Sequence, residues 1–328
     1  MGINLLKPGE AVLGFFLIKG VECKTSSNNK KYLDLTLSDK TGEINGKLWD
    51  CSEEDEKSYR RHMLVKVKGV LTEWQHRLQL RIEKIRPASP EDGVSIDDFV
   101  PVAPEKPDAM YREIQRVIQN MSHEDIRKIV SRLVGEKEEQ LMFYPAAKEN
   151  HHAVVGGLLY HIISMLRAGE KLAEIYSWIN KDLLYAGIIL HDLAKIDEME
   201  AGEIGLITEY TVEGQLLGHI IQGIKDIDRV AREEGADGEV SLLLQHMVLS
   251  HHYEPEFGSP KRPMIPEAEL LHYLDMIDAR MYDMRRVLDH VPPGGLSDRI
   301  WLLHNRRLYQ NRLNTEPNEN NTGEEKEG

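Results

Sequence analysis

Cysteine is nearly absent from this chain of 328 residues, which contains only Cys23 and Cys51. Two cysteines exclude a disulfide framework and a cysteine-rich zinc site, and they fit a reducing compartment. No apolar run approaches the roughly 20 residues that a membrane span requires. The N-terminal sequence MGINLLKPGE does not have the pattern of a signal peptide. These absences predict a cytoplasmic protein that has no membrane partner.

The sequence also lacks a Gly-rich phosphate loop, so ATP-driven chemistry is not expected. Its formal net charge of −14 at pH 7 looks unsuited to a protein that meets nucleic acid, but the charge is divided unevenly. Residues 1–90 contain 16 Lys and Arg against 12 Asp and Glu, which gives a net charge of +4. Residues 91–328 contain 25 against 43, which gives −18. A mildly basic module is therefore joined to an acidic one.

The basic module has the pattern of short strands. The segment KYLDLTLSD alternates apolar and polar residues, and five such segments with tight turns lie between residues 11 and 86. With a helical break near residues 53–61, they predict a closed Greek-key barrel of the OB type over residues 1–90. Such barrels bind single strands by stacking bases on aromatic side chains in a basic groove, although most of the aromatics are expected in the core. The candidate nucleic-acid-binding residues are Tyr32, Lys47, Trp49, Trp74 and Arg77.

The acidic module has a helical pattern. Residues 91–108 are rich in Pro, Gly and acidic residues and are expected to be a linker, whereas residues 109–313 predict helices. One of these helices would be N-capped by Ser122, and another, basic and amphipathic, would span Arg299–Leu313. The acidic tail of residues 314–328 is expected to be disordered. The predicted fold class is thus multidomain, with an all-β barrel joined to an all-α bundle.

Five helical segments of the acidic module carry His or Asp beside Leu and Ile. The central one, LLYAGIILHDLAK, is an apolar run that ends in His191-Asp192. An imidazole and a carboxylate side by side at the edge of a core suit a divalent metal. Each segment alone is better explained by a buried or capping residue, but five of them in one domain favour a metal centre. In chain order the segments carry His161, His191-Asp192, His219, His251-His252 and Asp275.

In order and local context these segments resemble the HD superfamily of metal-dependent phosphohydrolases, a helical fold. Together with the barrel, the chain resembles the YhaM-type 3′–5′ exoribonucleases of Gram-positive bacteria. The similarity runs from about residue 13 to residue 313. It includes KYLDLTLSDKTGEINGKLWD, GGLLYH, AGIILHDLAK, GQLLGHI, LSHH, EFGSP and LLHYLDMIDARM.

The resemblance implies two metal sites that share one carboxylate. Asp192 would bridge the two ions, and Lys195 would lie beside the bridging solvent or a phosphate oxygen, so these two residues are the catalytic candidates. Gly157 departs from some two-metal relatives, which have a glutamate there. The implied ligands are His161, His191, Asp192 and Asp275 for the first ion, and Asp192, His219, His251 and His252 for the second.

The chemistry of these ligands favours Mn²⁺, with Fe²⁺, Co²⁺, Mg²⁺ and Zn²⁺ as alternatives. Two such cations would lower the pKa of a bound water, so that a hydroxide can attack phosphorus near neutral pH. The basic barrel would hold the strand that an acidic domain repels. The expected function is metal-dependent hydrolysis of single-stranded RNA, with single-stranded DNA also open, to nucleoside 5′-monophosphates. The 3′–5′ polarity is implied by the resemblance alone.

Two other functions stay open from the sequence. The first is an HD-type nucleotide or cyclic-dinucleotide phosphohydrolase in which the barrel is regulatory. The second is a non-catalytic nucleic-acid-binding factor with a structural His-Asp site. The sequence also leaves a homo-oligomer open, because no interface pattern is visible in it.

Overall fold

The computed structural model describes residues 2–26, 28–61, 63–74, 77–94, 98–100, 102–147, 152, 154–201 and 207–313. The acidic tail expected at residues 314–328 lies outside the described residues. No helix among the described residues combines the length and apolar character needed to cross a membrane.

The N-terminal part is a closed barrel of five strands in the order β1-β2-β3-β5-β4. Strands β3 and β5 pair in parallel, and the antiparallel pairing of β1 with β4 closes the barrel. A short helix, α1 (Glu53–Ser58), connects β3 to β4. The predicted OB barrel is therefore confirmed. Its strands are β1 (Ala11–Thr25), β2 (Lys31–Asp39), β3 (Gly42–Trp49), β4 (Leu64–Trp74) and β5 (Arg77–Pro87).

The period-two pattern of β2 explains which side chains fill the barrel. Leu33, Leu35 and Leu37 are at most 1% exposed, whereas Asp34 and Thr36 between them are only partly buried. Successive residues of a strand face opposite sides, so one face of β2 enters the core and the other carries polar groups. β2 therefore contributes its leucines to the barrel core and carries its polar residues on the other face.

The C-terminal part is a helical bundle. It also contains a two-stranded antiparallel ribbon, β6 (Met199–Ala201) with β7 (Ile207–Tyr210), which the all-helical prediction did not include. The helices are α2 (Pro107–Gln119), α3 (Glu124–Glu136), α4 (Glu138–Leu141), α5 (Gly157–Ile175), α6 (Lys181–Leu190), α7 (Lys195–Glu198), α8 (Val212–Glu234), α9 (Gly238–Ser250) and α10 (Pro266–Leu288).

Helix α6 is the centre of the bundle. It packs against α3, α5, α9 and α10, and most of its side chains are buried. A helix that is apolar on all sides is stable only when it is surrounded by other elements. The C-terminal end of α6 therefore lies close to helices that carry other candidate ligands.

Two predictions about the bundle helices are wrong. Ser122 does not cap α3, which begins at Glu124 with His123 at the N-cap position. The expected basic helix over Arg299–Leu313 is absent. That segment contains a 3-10 turn and two isolated antiparallel bridges, because His304 and Asn305 have φ values of 57° and 59° and reverse the chain. Consecutive residues in the left-handed region are incompatible with a right-handed helix.

Candidate metal centre

The His-Asp pair lies in a turn at the end of α6. The helix ends at Leu190, His191 is its C-cap, and α7 begins at Lys195. The turn brings Lys195 Nζ to 2.6 Å from Asp192 Oδ2. The sequence left open whether α6 continues through Lys195; the contact forms through a turn instead. His191 is fully buried, and Asp192 is only 2% exposed.

One oxygen of Asp192 faces the first group of candidate ligands. Asp192 Oδ2 lies 3.5 Å from His191 Nε2 and 3.9 Å from His161 Nε2. The two Nε2 atoms are 3.3 Å apart, and Asp275 Oδ1 is 3.4 Å from His161 Nε2. The four residues expected to hold a first ion are therefore brought together by α5, the end of α6 and α10.

The other oxygen of Asp192 faces the second group. Asp192 Oδ1 lies 3.4 Å from His219 Nε2 and 3.8 Å from His251 Nε2. The ring centroids of His251 and His252 are 4.0 Å apart. Ligand atoms of Asp192, His219, His251 and His252 all lie within 4.8 Å of one another. The second set of expected ligands therefore converges as well, and Asp192 lies between the two sets.

The imidazoles in the centre share one orientation, in which Nδ1 is held by a neighbouring acceptor. Nδ1 of His191 donates to the Ile188 carbonyl at 2.8 Å, and Nδ1 of His251 donates to the Val248 carbonyl at 2.7 Å. A fixed Nδ1–H leaves the Nε2 lone pair for an ion, as in most metal-binding histidines. The other pairs are His161 with Asp278 at 2.7 Å, His219 with Glu198 at 3.2 Å, and His252 with the Phe257 carbonyl.

Two glycines make this arrangement sterically feasible. Gly218 has φ 69° and ψ 165°, which breaks the helical path of α8 immediately before His219. Gly157 begins α5, and a Cβ on it would lie 2.0 Å from the His152 carbonyl oxygen. The glutamate that some relatives have at this position would not fit here without a backbone shift. The position of the His152 carbonyl therefore explains why residue 157 is glycine in this chain.

Three buried polar atoms of the centre make no hydrogen bond to any residue that the structure describes. They are Asp192 Oδ1, His219 Nε2 and His251 Nε2. An unpaired buried polar atom costs about 1–3 kcal/mol, so three together are unusual without a ligand. Oxygen and imidazole donors at this density fit a divalent cation, which would satisfy all three.

The charges in the centre also favour a cation. Burial lowers the pKa of His161, but hydrogen bonds with Asp275 and Asp278 outweigh it and raise that pKa to about 10. Carboxylates that hold a proton on a buried imidazole would equally attract a metal ion. Burial dominates at His191 and His251, where it lowers the pKa and keeps the imidazoles neutral, as metal ligands must be.

Lys195 and Asp192 keep opposite charges in this setting. Burial lowers the pKa of Lys195, but the adjacent Asp192 carboxylate outweighs it, so that pKa is raised. Burial raises the pKa of Asp192, but Lys195 and three surrounding histidines hold it well below its usual range. An ammonium group therefore lies at the edge of the candidate ligands.

His152, Asp278 and Glu198 contact the candidate ligands but were not singled out from the sequence. Asp278 accepts hydrogen bonds from His152 Nε2 at 2.8 Å and from His161 Nδ1 at 2.7 Å. The Glu198 carboxylate accepts hydrogen bonds from the backbone N–H and from Nδ1 of His219, both at 3.2 Å. A signal for Asp278 exists in the sequence, because it follows Asp275 by three residues and so shares its helix face. Glu198 has no comparable signal.

Three of the five predicted barrel residues form one cluster. The rings of Tyr32 and Trp49 are 4.6 Å apart, and Lys47 Nζ lies 5.2 Å and 5.7 Å from their centroids. Trp49 is 43% exposed, so an aromatic face with a cation beside it is open to solvent. Trp74 and Arg77 pair across the β4–β5 hairpin, and their side chains lie outside the described part of the chain.

Family comparisons agree with both halves of this architecture. An OB-fold nucleic acid binding domain model, tRNA_anti-codon, matches residues 17–88, and an HD domain model matches residues 158–280. Fold and site thus define a metal-dependent hydrolase of the HD class that has a nucleic-acid-binding barrel.

Full-length relatives narrow the class. The 3′-5′ exoribonuclease YhaM of Halalkalibacterium halodurans is 45% identical over 96% of this chain and 98% of that protein. The YhaM of Bacillus subtilis is 44% identical over 94% of this chain and 98% of that protein. The YhaM of Listeria innocua is 43% identical over 92% of this chain and 95% of that protein. The chain belongs to the YhaM 3′-5′ exoribonuclease family, which confirms the resemblance seen in the sequence.

Proposed function

We propose that this protein hydrolyses single-stranded RNA from the 3′ end, one nucleotide at a time, and releases nucleoside 5′-monophosphates. Two divalent cations, with Mn²⁺ preferred, would serve the reaction. His161, His191 and Asp275 would hold the first ion, and His219, His251 and His252 would hold the second. Asp192, which lies between the two sets, would be a ligand of both.

The observation that carries this proposal is the position of Asp192. Its Oδ2 is beside His161 and His191, and its Oδ1 is beside His219 and His251. A carboxylate with one set of imidazoles on each oxygen is arranged to bridge two cations. The unpaired Oδ1 and the two unpaired imidazole nitrogens around it support a ligand on that side in particular.

The chain's own residues prepare the centre for a phosphodiester. When bound, the ions supply Lewis-acid stabilisation of the phosphoryl oxygens and lower the pKa of a water. Lys195 stays protonated beside Asp192, where its ammonium group donates a hydrogen bond to a phosphate oxygen and offsets the charge that develops on it. The fixed Nδ1 contacts hold the imidazoles in place, so that little reorganisation is needed during the reaction.

The barrel compensates for the charge of the helical domain. Residues 91–328 carry a net charge of −18, which repels a polyanion, whereas residues 1–90 carry +4. Bases of the incoming strand stack on Tyr32 and Trp49, and Lys47 contacts the backbone phosphate between them. The barrel therefore captures the strand, and the metal centre cleaves its end.

The test is product analysis on RNA strands labelled at the 5′ end, with Mn²⁺ supplied. We expect a ladder of strands shortened from the 3′ end, and mass spectrometry should identify nucleoside 5′-monophosphates. A strand of the same sequence with a blocked 3′ terminus should resist cleavage. Internal fragments, release of 5′-terminal nucleotides first, or equal cleavage of the blocked strand would refute the proposal. The cleavage rate of a DNA strand of the same sequence measures the preference for ribose over deoxyribose.

A further inference from the structure

A line of side chains on α10 leads away from the metal centre. Asp275, Asp278, Tyr282 and Arg285 follow one another at spacings of three or four residues, which places them along one helix face. At a rise of 1.5 Å per residue, Tyr282 lies roughly 10 Å along the axis from Asp275. Tyr282 is therefore about two helical turns from Asp275, on the same face of α10.

A cavity of about 450 Å³ opens at the far part of this line. Its size falls within the range of small-ligand pockets, roughly 300–1,000 Å³. Two arginines and two aspartates in the lining balance one another, so the cavity has no net charge to attract a polyphosphate. The lining residues that bear on recognition are Tyr160, Met281, Tyr282, Arg285, Arg286 and Asp289.

A ring contact and two hydrogen bonds connect the aromatic wall of the cavity to the metal centre. The ring centroids of Tyr282 and His152 are 3.9 Å apart, and the His152 side chain is buried. His152 Nε2 donates to Asp278 Oδ2, which also accepts from His161 Nδ1. The wall is therefore held in place before a ligand arrives, which reduces the entropic cost of stacking against it.

We propose that this cavity is the subsite for the nucleoside of the strand's terminal nucleotide. The base stacks against Tyr282, Asp289 accepts hydrogen bonds from the sugar hydroxyls, and Arg285 and Arg286 donate to acceptors on the base edge. A nucleoside is uncharged, aromatic at one end and rich in hydroxyls at the other, which matches the lining. A pocket for one nucleoside beyond the scissile phosphate accounts for release of single nucleotides. This inference rests on the proposed function.

Equilibrium binding to the full chain tests the subsite without any turnover. The probes are adenosine 5′-monophosphate, which reaches both the pocket and the metal ligands, and inorganic phosphate, which reaches the metal ligands only. In Tyr282→Ala we expect about a tenfold higher Kd for the nucleotide, because one stacking contact contributes about 1–3 kcal/mol, and an unchanged Kd for phosphate. Tyr282→Phe should retain the wild-type Kd. Tyr176→Ala removes an exposed tyrosine elsewhere in the bundle and should change neither Kd.

A second variant covers the case in which Tyr282→Ala does not fold. Ser164 on α5 lines the same cavity and is partly exposed, so Ser164→Trp should fill the pocket from a helix other than α10. It should also weaken nucleotide binding while leaving phosphate binding unchanged. An unchanged nucleotide Kd in both variants, or in whichever one folds, overturns the subsite.

Failure of the subsite and failure of the exonuclease proposal give different results. If the wild type degrades RNA from the 3′ end and the pocket variants bind nucleotide normally, only the subsite is wrong. If the wild type binds the nucleotide through Tyr282 but does not degrade RNA, the subsite stands as a nucleotide site, and the exonuclease proposal is wrong.

Discussion

The barrel cluster and the metal centre are built in opposite ways. Tyr32, Lys47 and Trp49 come from two neighbouring strands, are at least partly exposed, and contact one another directly. The candidate ligands come from the ends or interiors of five separate helical segments, most are buried, and several polar atoms among them are unpaired. The barrel surface is therefore complete without its ligand, whereas the centre needs an ion to satisfy its own side chains.

The largest effect should follow from removing the bridge. Asp192→Asn keeps the shape of the side chain but replaces its charge and one acceptor oxygen. We expect RNA cleavage to fall by on the order of 10³-fold or more, because the two proposed ions would lose the ligand that they share. RNA binding should change by less than about twofold, since the barrel residues are unaffected by the substitution.

Cleavage rates and filter-binding affinities of the same preparations check this separation. Asp228→Asn, which alters a partly exposed aspartate paired with Arg232 on α8, should retain both properties. Substantial cleavage by Asp192→Asn in metal-supplemented buffer would place the reaction elsewhere.

A smaller effect should follow from Glu198→Gln, which removes a charge that orients His219. Partners of this kind typically contribute 10- to 100-fold in metal affinity, so we expect a loss of about that size for one ion only. Calorimetric titration with Mn²⁺ measures it. Glu209→Gln, an exposed glutamate on β7, is the matched control. Equal weakening of both ions, or of neither, would contradict the assignment of Glu198 to the second group.

The smallest effect should come from the barrel. Trp49→Ala removes one stacking surface, which we expect to raise the KM for a long RNA about tenfold while leaving cleavage of a dinucleotide unchanged. Steady-state kinetics on both substrates provide the measurement. Trp178→Ala removes a tryptophan that is 72% exposed on the bundle and should leave both substrates unaffected. Equal losses on the long and short substrates would mean that the barrel does not hold the strand.

The sequence predicted the parts of the molecule that depend on local pattern. Alternation in β2 identified the barrel core, and the apolar run before His191 identified a buried helix that ends in a His-Asp pair. The seven expected ligands converge because α5, α9 and α10 pack against α6, and α8 packs against α7 and α9. The family resemblance assigned them to two groups that share Asp192, and the structure brings the members of each group close together.

The remaining features depend on tertiary contacts that no local pattern encodes. Glu198, which precedes β6, contacts His219 directly after the kink of α8 at Gly218. The segment after residue 299 has helical periodicity, yet two left-handed residues, His304 and Asn305, fold it back on itself. Periodicity describes which face of a helix would be apolar, but it does not detect a reversal of the chain.

Metal analysis of the purified protein tests the central claim most directly. We predict two divalent ions per chain in the wild type after saturation with Mn²⁺ and removal of the unbound metal, because Asp192 has one set of imidazoles on each oxygen. Asp192→Asn, treated identically, should retain fewer than one. Equal metal content in the wild type and in a folded Asp192→Asn protein would contradict the account.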